Sequence, residues 1–220
     1  EDQFPLPRES IKDIIFILED QDELSTELVE NILFLLDISL DSFTSDIKLS
    51  MAELLVIRKY FPENYAISIF AHAIRLDPKC SKCILDSFPP IKNYRGFTKE
   101  VKNILCHNFS NSFLPILKLI YELSKMNEIA TELTDIYQSL IPIIPTLDFS
   151  EQAISFEILI NFCKINKKYI SVLANNDSVG KLYSNIIIDK ESLNTAFELL
   201  NFISENSEQP LDIIKRLNIE

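Results

Sequence analysis

Three related stretches decide how this chain reads: Lys118–Asn127, KLIYELSKMN; Glu157–Asn166, EILINFCKIN; and Phe197–Asn206, FELLNFISEN. They begin 39 and 40 residues apart. Each has a run of large apolar residues, then an acid or amide (Glu122, Asn161, Asn201), then Leu or Phe (Leu123, Phe162, Phe202), and ends on Asn. A period near 40 is the mark of a helical repeat array. Each unit in such an array is too small to bury its own apolar face and buries it against its neighbours.

Composition agrees with an all-helical chain. Of 220 residues, 47% are hydrophobic, which supports a sizeable core. Only two are Gly, so few positions can require positive φ and hairpin turns are scarce. The formal charge of −12 repels phosphate backbones and disfavours nucleic acid, while it attracts a basic peptide segment or simply aids solubility. No apolar run is long enough for a membrane span, and the opening EDQFPLP has no signal-peptide pattern. The first residue is not Met, which fits a piece of a longer chain. Cys80, Cys83, Cys106 and Cys163 show no disulfide framework, which points to free thiols in a reducing, intracellular compartment, cytoplasm or nucleus.

Helix signals follow one another with short breaks. Helices are predicted near 8–19, 25–38, 44–61, 63–76, 79–88, 98–108, 112–126, 128–141, 150–165, 167–175, 178–188, 190–206 and 208–218. Pro62, Pro78 and Pro115 sit where a helix can start, and Pro142 and Pro145 close another. Ser25, Thr44, Thr98, Ser112, Ser150, Asp189 and Ser207 are candidate N-caps. Several of the long helices are apolar around most of the circumference, with one narrow polar stripe. The stripes are Asp46, Ser50 and Glu53; Lys118, Glu122 and Lys125; Glu157, Asn161 and Lys164; and Asn194, Glu198, Asn201 and Glu205. Steps of three and four place each set on one face. A helix covered on several sides, with one line left to solvent, fits the inner layer of a curved solenoid.

The segment Ser150–Leu182, SEQAISFEILINFCKINKKYISVLANNDSVGKL, resembles the armadillo repeat at the junction of two units. The likeness covers about residues 110–220. Before that, only the helix rhythm matches. It implies a right-handed α-solenoid of about five repeats spanning residues 1–220, degenerate over 1–110 and clearer over 111–220. In that family a third-helix asparagine, here Asn161 and Asn201, hydrogen-bonds an extended peptide in the concave groove. Importin-type grooves pair that asparagine with a Trp four residues earlier. Here those positions hold Lys118, Glu157 and Phe197, the asparagine column holds Glu122 at its first member, and the chain has no Trp. A competing likeness is Asn64–Pro78, NYAISIFAHAIRLDP, which is similar to the second helix of a tetratricopeptide repeat of the co-chaperone or adaptor kind. No second copy follows at that family's 34-residue period.

The remaining motifs carry little chemistry. Cys80-x-x-Cys83 with Cys106-His107 has metal-capable residues, but Cys106 and His107 are adjacent and converge poorly, so buried thiols are the expected reading. His72 lies among Ile69, Phe70 and Ile74 and reads as packed. Gly96 and Gly180 are isolated and make no phosphate loop. Tyr94 and Phe97, with Lys92 and Arg95, form an aromatic-basic stretch that is either a contact loop or two tucked rings, the tucked form being expected. No catalytic constellation, cofactor or metal is therefore expected.

The expectation is a protein-interaction scaffold that binds a partner segment, extended or helical, along the stripe Lys118, Glu122, Lys125, Glu157, Asn161, Lys164, Asn194, Glu198 and Asn201. The alternative is a structural spacer of a larger assembly, held through its ends or convex face. Its apolar last stretch, Leu211, Ile213, Ile214, Leu217 and Ile219, would allow end-on docking.

Overall fold

A capping box starts the helix on which the second half of the chain is built. Asp148 precedes Phe149–Ile165, its carboxylate accepts the Glu151 N–H at 2.9 Å, and the Glu151 carboxylate accepts the Asp148 N–H at 3.3 Å. Two amide donors that a helix start leaves unpaired are satisfied in this way. Ser150, an expected cap, instead lies inside the first turn and donates to Asp148 Oδ1. Asp148 wins because its side chain precedes the first helical residue, where the free N–H groups point.

The computed structural model describes residues 6–20, 24–40, 47–85, 95–107, 113–174 and 190–206. The expected helices 178–188 and 208–218, the caps Thr44, Ser112, Asp189 and Ser207, and the residues Asp46, Lys92 and Tyr94 lie outside the described residues. Among the described residues there are twelve α-helices and no strand. They are α1 (Arg8–Asp20), α2 (Thr26–Leu40), α3 (Met51–Ile57), α4 (Asn64–Leu76), α5 (Ser81–Leu85), α6 (Arg95–His107), α7 (Leu114–Ser124), α8 (Asn127–Glu132), α9 (Thr134–Leu140), α10 (Phe149–Ile165), α11 (Lys168–Ala174) and α12 (Lys190–Asn206). Short 3-10 turns cover Arg58–Tyr60, Pro78–Cys80 and Ile144–Thr146. The chain divides into two compact units, Glu1–Asn93 and Tyr94–Glu220.

In the first unit α1 packs on α2 and α3, α2 packs on α4, and α5 packs on α3 and α4. Its core holds Ile11, Leu33, Leu36, Leu54, Ile57, Ile67 and Phe70. The predicted helix 44–61 is shorter than expected. Ser50 accepts the Glu53 N–H and Glu53 accepts the Ser50 N–H, so a capping box starts the helix at Met51. Ser50 is thus a cap rather than part of a stripe. Glu53 is likewise engaged: both carboxylate oxygens accept from Arg8 Nη2, one at 2.6 Å, and this ties α3 to α1.

That clamp depends on pH. Burial pushes the Glu53 pKa up. The Arg8 hydrogen bond, the Ser50 N–H and hydroxyl, and the Arg8 charge together outweigh burial and hold it below its usual value. A depressed folded pKa gives stability that is present above the unfolded value and lost as pH falls through the folded one. Both side chains keep some solvent contact, so the pair contributes about 1 kcal/mol at most. Glu53→Gln should lower the urea midpoint at pH 7 and make little difference at pH 2.5. An equal deficit at both pH values would show that the ion pair is not its source.

In the second unit α10 is the hub, in contact with α7, α8, α9, α11 and α12. Phe156, Ile158, Leu159, Phe162 and Cys163 of α10 are buried. The predicted helix 128–141 is two helices that meet at Leu133, whose φ of −88° and ψ of 9° leave the helical range. The break has a packing reason. α8 contacts α7 and α10, whereas α9 contacts α6 and α10. Thr98 is not a cap: α6 begins three residues earlier and buries it, together with Phe97. The Ser25 cap is present, with the Leu28 N–H donating to its hydroxyl at 3.3 Å.

The closing asparagines of two repeated stretches have local tasks. Asn166 leaves the helix in an extended conformation, and its side chain accepts the Lys168 N–H at 3.1 Å where α11 begins. Asn206 turns its amide back onto the Phe202 carbonyl at 2.9 Å. Both satisfy groups that a helix end exposes.

Candidate partner-binding seam

The three repeated stretches fall on α7, α10 and α12, and α10 contacts both of the others. On each helix the stripe residues keep some solvent exposure. Lys118 and Glu122 of α7 are half-buried and Lys125 is exposed. Glu157 and Asn161 of α10 are half-buried and Lys164 is exposed, while the neighbouring Ile158, Leu159, Ile160, Phe162 and Cys163 are buried. Asn194, Glu198 and Asn201 of α12 are exposed, opposite the buried Thr195, Ala196 and Leu199.

Tertiary structure joins part of this set. Lys125 Nζ donates to both oxygens of Glu122 at 2.9 Å and lies 3.9 Å from the centre of the Tyr121 ring. The Tyr121 hydroxyl faces the Glu157 carboxylate across the α7–α10 boundary. Burial, with that carboxylate beside it, pushes the Tyr121 pKa well up and keeps the phenol protonated. One turn further on, Asn161 Nδ2 donates to Ser124 Oγ at 3.0 Å, and the Ser124 hydroxyl donates to the Tyr121 carbonyl at 2.7 Å. Glu122, Lys125, Glu157 and Asn161 therefore share one patch with Tyr121 and Ser124.

Two residues of that patch, Tyr121 and Ser124, were not legible as seam members. Tyr121 counts as apolar in a periodicity reading, and Ser124 looks like neutral filler. Their one sequence signal is spacing, since Tyr121 is four residues before Lys125. Phe197 is a third omission. It is 51% exposed and lies on the α12 face that carries Asn194, Glu198 and Asn201. The seam offers carboxylates, amides and an aromatic face, groups suited to hydrogen bonds, ion pairs and cation contacts.

The other chemistry-bearing residues are dispersed. Cys80 and Cys83 are buried, and Cys106 is exposed. Cys163 is buried against Tyr137, and burial pushes its thiol up to about 12 although the Tyr137 hydroxyl favours the thiolate. His72 is buried, with Nδ1 3.1 Å from the Arg75 guanidinium. Among the described residues no three His, Cys, Asp or Glu side chains converge to hold a metal, and no helix is long and apolar enough to cross a membrane. No protein-family model matches the chain, and neither curated proteins nor solved structures give a match.

Proposed function

We propose that the chain is an armadillo-like, right-handed helical solenoid that binds a segment of a partner protein along the seam of α7, α10 and α12. The observation that carries this reading is the neighbour order of the repeated stretches. α10 lies against both α7 and α12, so three copies of one sequence pattern are consecutive neighbours. Repeat arrays stack in this manner, each unit burying its apolar face on the next. Their polar residues then form a ladder. Glu122 is neutralised by Lys125, whereas Glu198 has no such cation among the described residues. The partner segment that suits the ladder has Lys or Arg side chains for the acids and free backbone groups for Asn201.

The test uses exposed positions, so that folding and binding separate. Asn161 is unsuitable because it bonds Ser124. Glu198→Lys with Asn201→Ala should weaken binding of an extended Pro- and Lys-containing peptide about tenfold, or about 1.4 kcal/mol. The urea midpoint should stay within about 0.5 kcal/mol of the parent. Unchanged affinity, measured by fluorescence anisotropy, removes the seam as the binding face. A matching loss of stability shows that these residues pack instead.

A further inference from the structure

α2 in the first unit has two apolar faces, and only one is covered. Ile32, Leu33, Leu36 and Leu40 are buried. Leu28, Phe34 and Leu35 are exposed by 46%, 43% and 37%. Leu28 and Leu35 are seven residues apart, two turns along one face, and Phe34 adjoins Leu35. α4 extends the surface: the Tyr65 ring, itself exposed, lies 5.4 Å from the Phe34 ring centre. A single exposed Leu needs no explanation, but three large apolar side chains exposed on one helix beside an exposed aromatic ring form a patch.

Charge selects the occupant. α2 has no Lys or Arg, and Glu27 and Glu30 are exposed on it. Glu63, exposed, stands at the start of α4 beside Tyr65. None of these three acids is held in an ion pair among the described residues. The surface is thus an apolar ridge framed by uncompensated negative charge. A second copy of this chain is a poor occupant. A two-fold contact would set Glu27 and Glu30 near their own counterparts, in a protein already at −12.

The geometry points to a docking surface on α2 and α4 for a cationic amphipathic helix of a partner protein. Leu, Met or Phe anchors would sit on Leu28, Phe34, Leu35 and Tyr65, and flanking Lys or Arg would face Glu27, Glu30 and Glu63. Helix-on-helix docking of this kind is read as anchors at helical spacing. The surface is independent of the seam on α7, α10 and α12.

The experiment uses the full chain and a fluorescein-labelled synthetic peptide of Leu and Lys at helical periodicity, with a Leu and Glu peptide of the same pattern as control. Fluorescence anisotropy should give saturable binding of the Leu–Lys peptide and none of the Leu–Glu peptide. Leu28→Asn with Leu35→Asn should weaken it about tenfold or more, as expected of central apolar anchors. Glu27→Lys with Glu30→Lys, which leaves the apolar ridge intact, should weaken it several-fold, more at low salt than at high. Glu198→Lys with Asn201→Ala should weaken it less than either α2 variant, which separates this surface from the seam. No saturable binding, equal binding of the Leu–Glu peptide, or equal binding by both α2 variants overturns the proposal. So does a dimer of the parent chain in sedimentation that Leu28→Asn with Leu35→Asn abolishes, since the occupant would then be a second copy.

Discussion

Phe162→Ala should cost about 3–5 kcal/mol, the largest single loss expected in the second unit. Phe162 is fully buried in α10, the helix that contacts five others. Its ring meets Tyr137 of α9 edge-to-face, with centroids 6.2 Å apart and planes at 90°. Tyr137 lies 4.7 Å from the Tyr169 ring and donates its hydroxyl to the Tyr169 carbonyl at 2.9 Å. Truncation would remove the apolar transfer free energy of the ring and leave a void beneath a buried hydrogen-bonded tyrosine. That tyrosine cannot move in to fill the void without giving up its partner. The apparent melting temperature should fall by roughly 6–20 °C, at about 2–4 °C per kcal/mol for a chain of this size. Phe162→Leu, which keeps most of the volume, should lose less than half as much. Urea unfolding followed by circular dichroism reads both variants. A deficit under about 1 kcal/mol for the alanine would mean that α10 is not the packing centre.

Glu151→Ala should cost about 2–4 kcal/mol, although it removes a charged side chain. Glu151 is 5% exposed, a burial that carboxylates seldom reach unless partnered. One oxygen accepts the Asp148 N–H in the capping box; the other accepts the Phe113 N–H at 2.6 Å, immediately before α7. One carboxylate therefore satisfies donors at the starts of two packed helices. Alanine would lose a cap contribution of about 1 kcal/mol. It would also remove a charge-assisted bond of about 1.5–3 kcal/mol and leave the Phe113 donor unpaired. Glu151→Gln should recover part of the loss, because the amide oxygen keeps one acceptor while its NH2 opposes a donor. Identical urea midpoints for Gln and Ala would show that charge, not acceptor geometry, sets the effect. A parent-like midpoint for Ala would refute the double-cap role.

The fate of particular residues shows what each level of organisation controls. The Asp148-x-x-Glu151 box is written locally, because a capping box needs only its own four residues. The bond from Phe113 to Glu151 spans 38 positions and appears only when α7 lies beside α10. The stripe Glu157, Asn161 and Lys164 follows from helical spacing alone. Its links to Tyr121 and Ser124 need the register between two helices, which no periodicity encodes. The single helix expected over 128–141 failed for the same reason. Its apolar spacing continues across the break, whereas its two halves pack on different neighbours on either side of Leu133.

By itself the sequence determined that the chain is helical, where most described helices lie, and which residues share a face. Glycine scarcity, caps and three-to-four spacing act within a few residues of each other, and a sequence records such short-range physics directly. Tertiary structure alone decided that Glu151 serves two helices, that Tyr121 and Ser124 stitch α7 to α10, and that α2 keeps a second apolar face in solvent. Those outcomes depend on which surfaces meet. That is fixed by the summed burial of many side chains distant in sequence, not by the preference of any one segment.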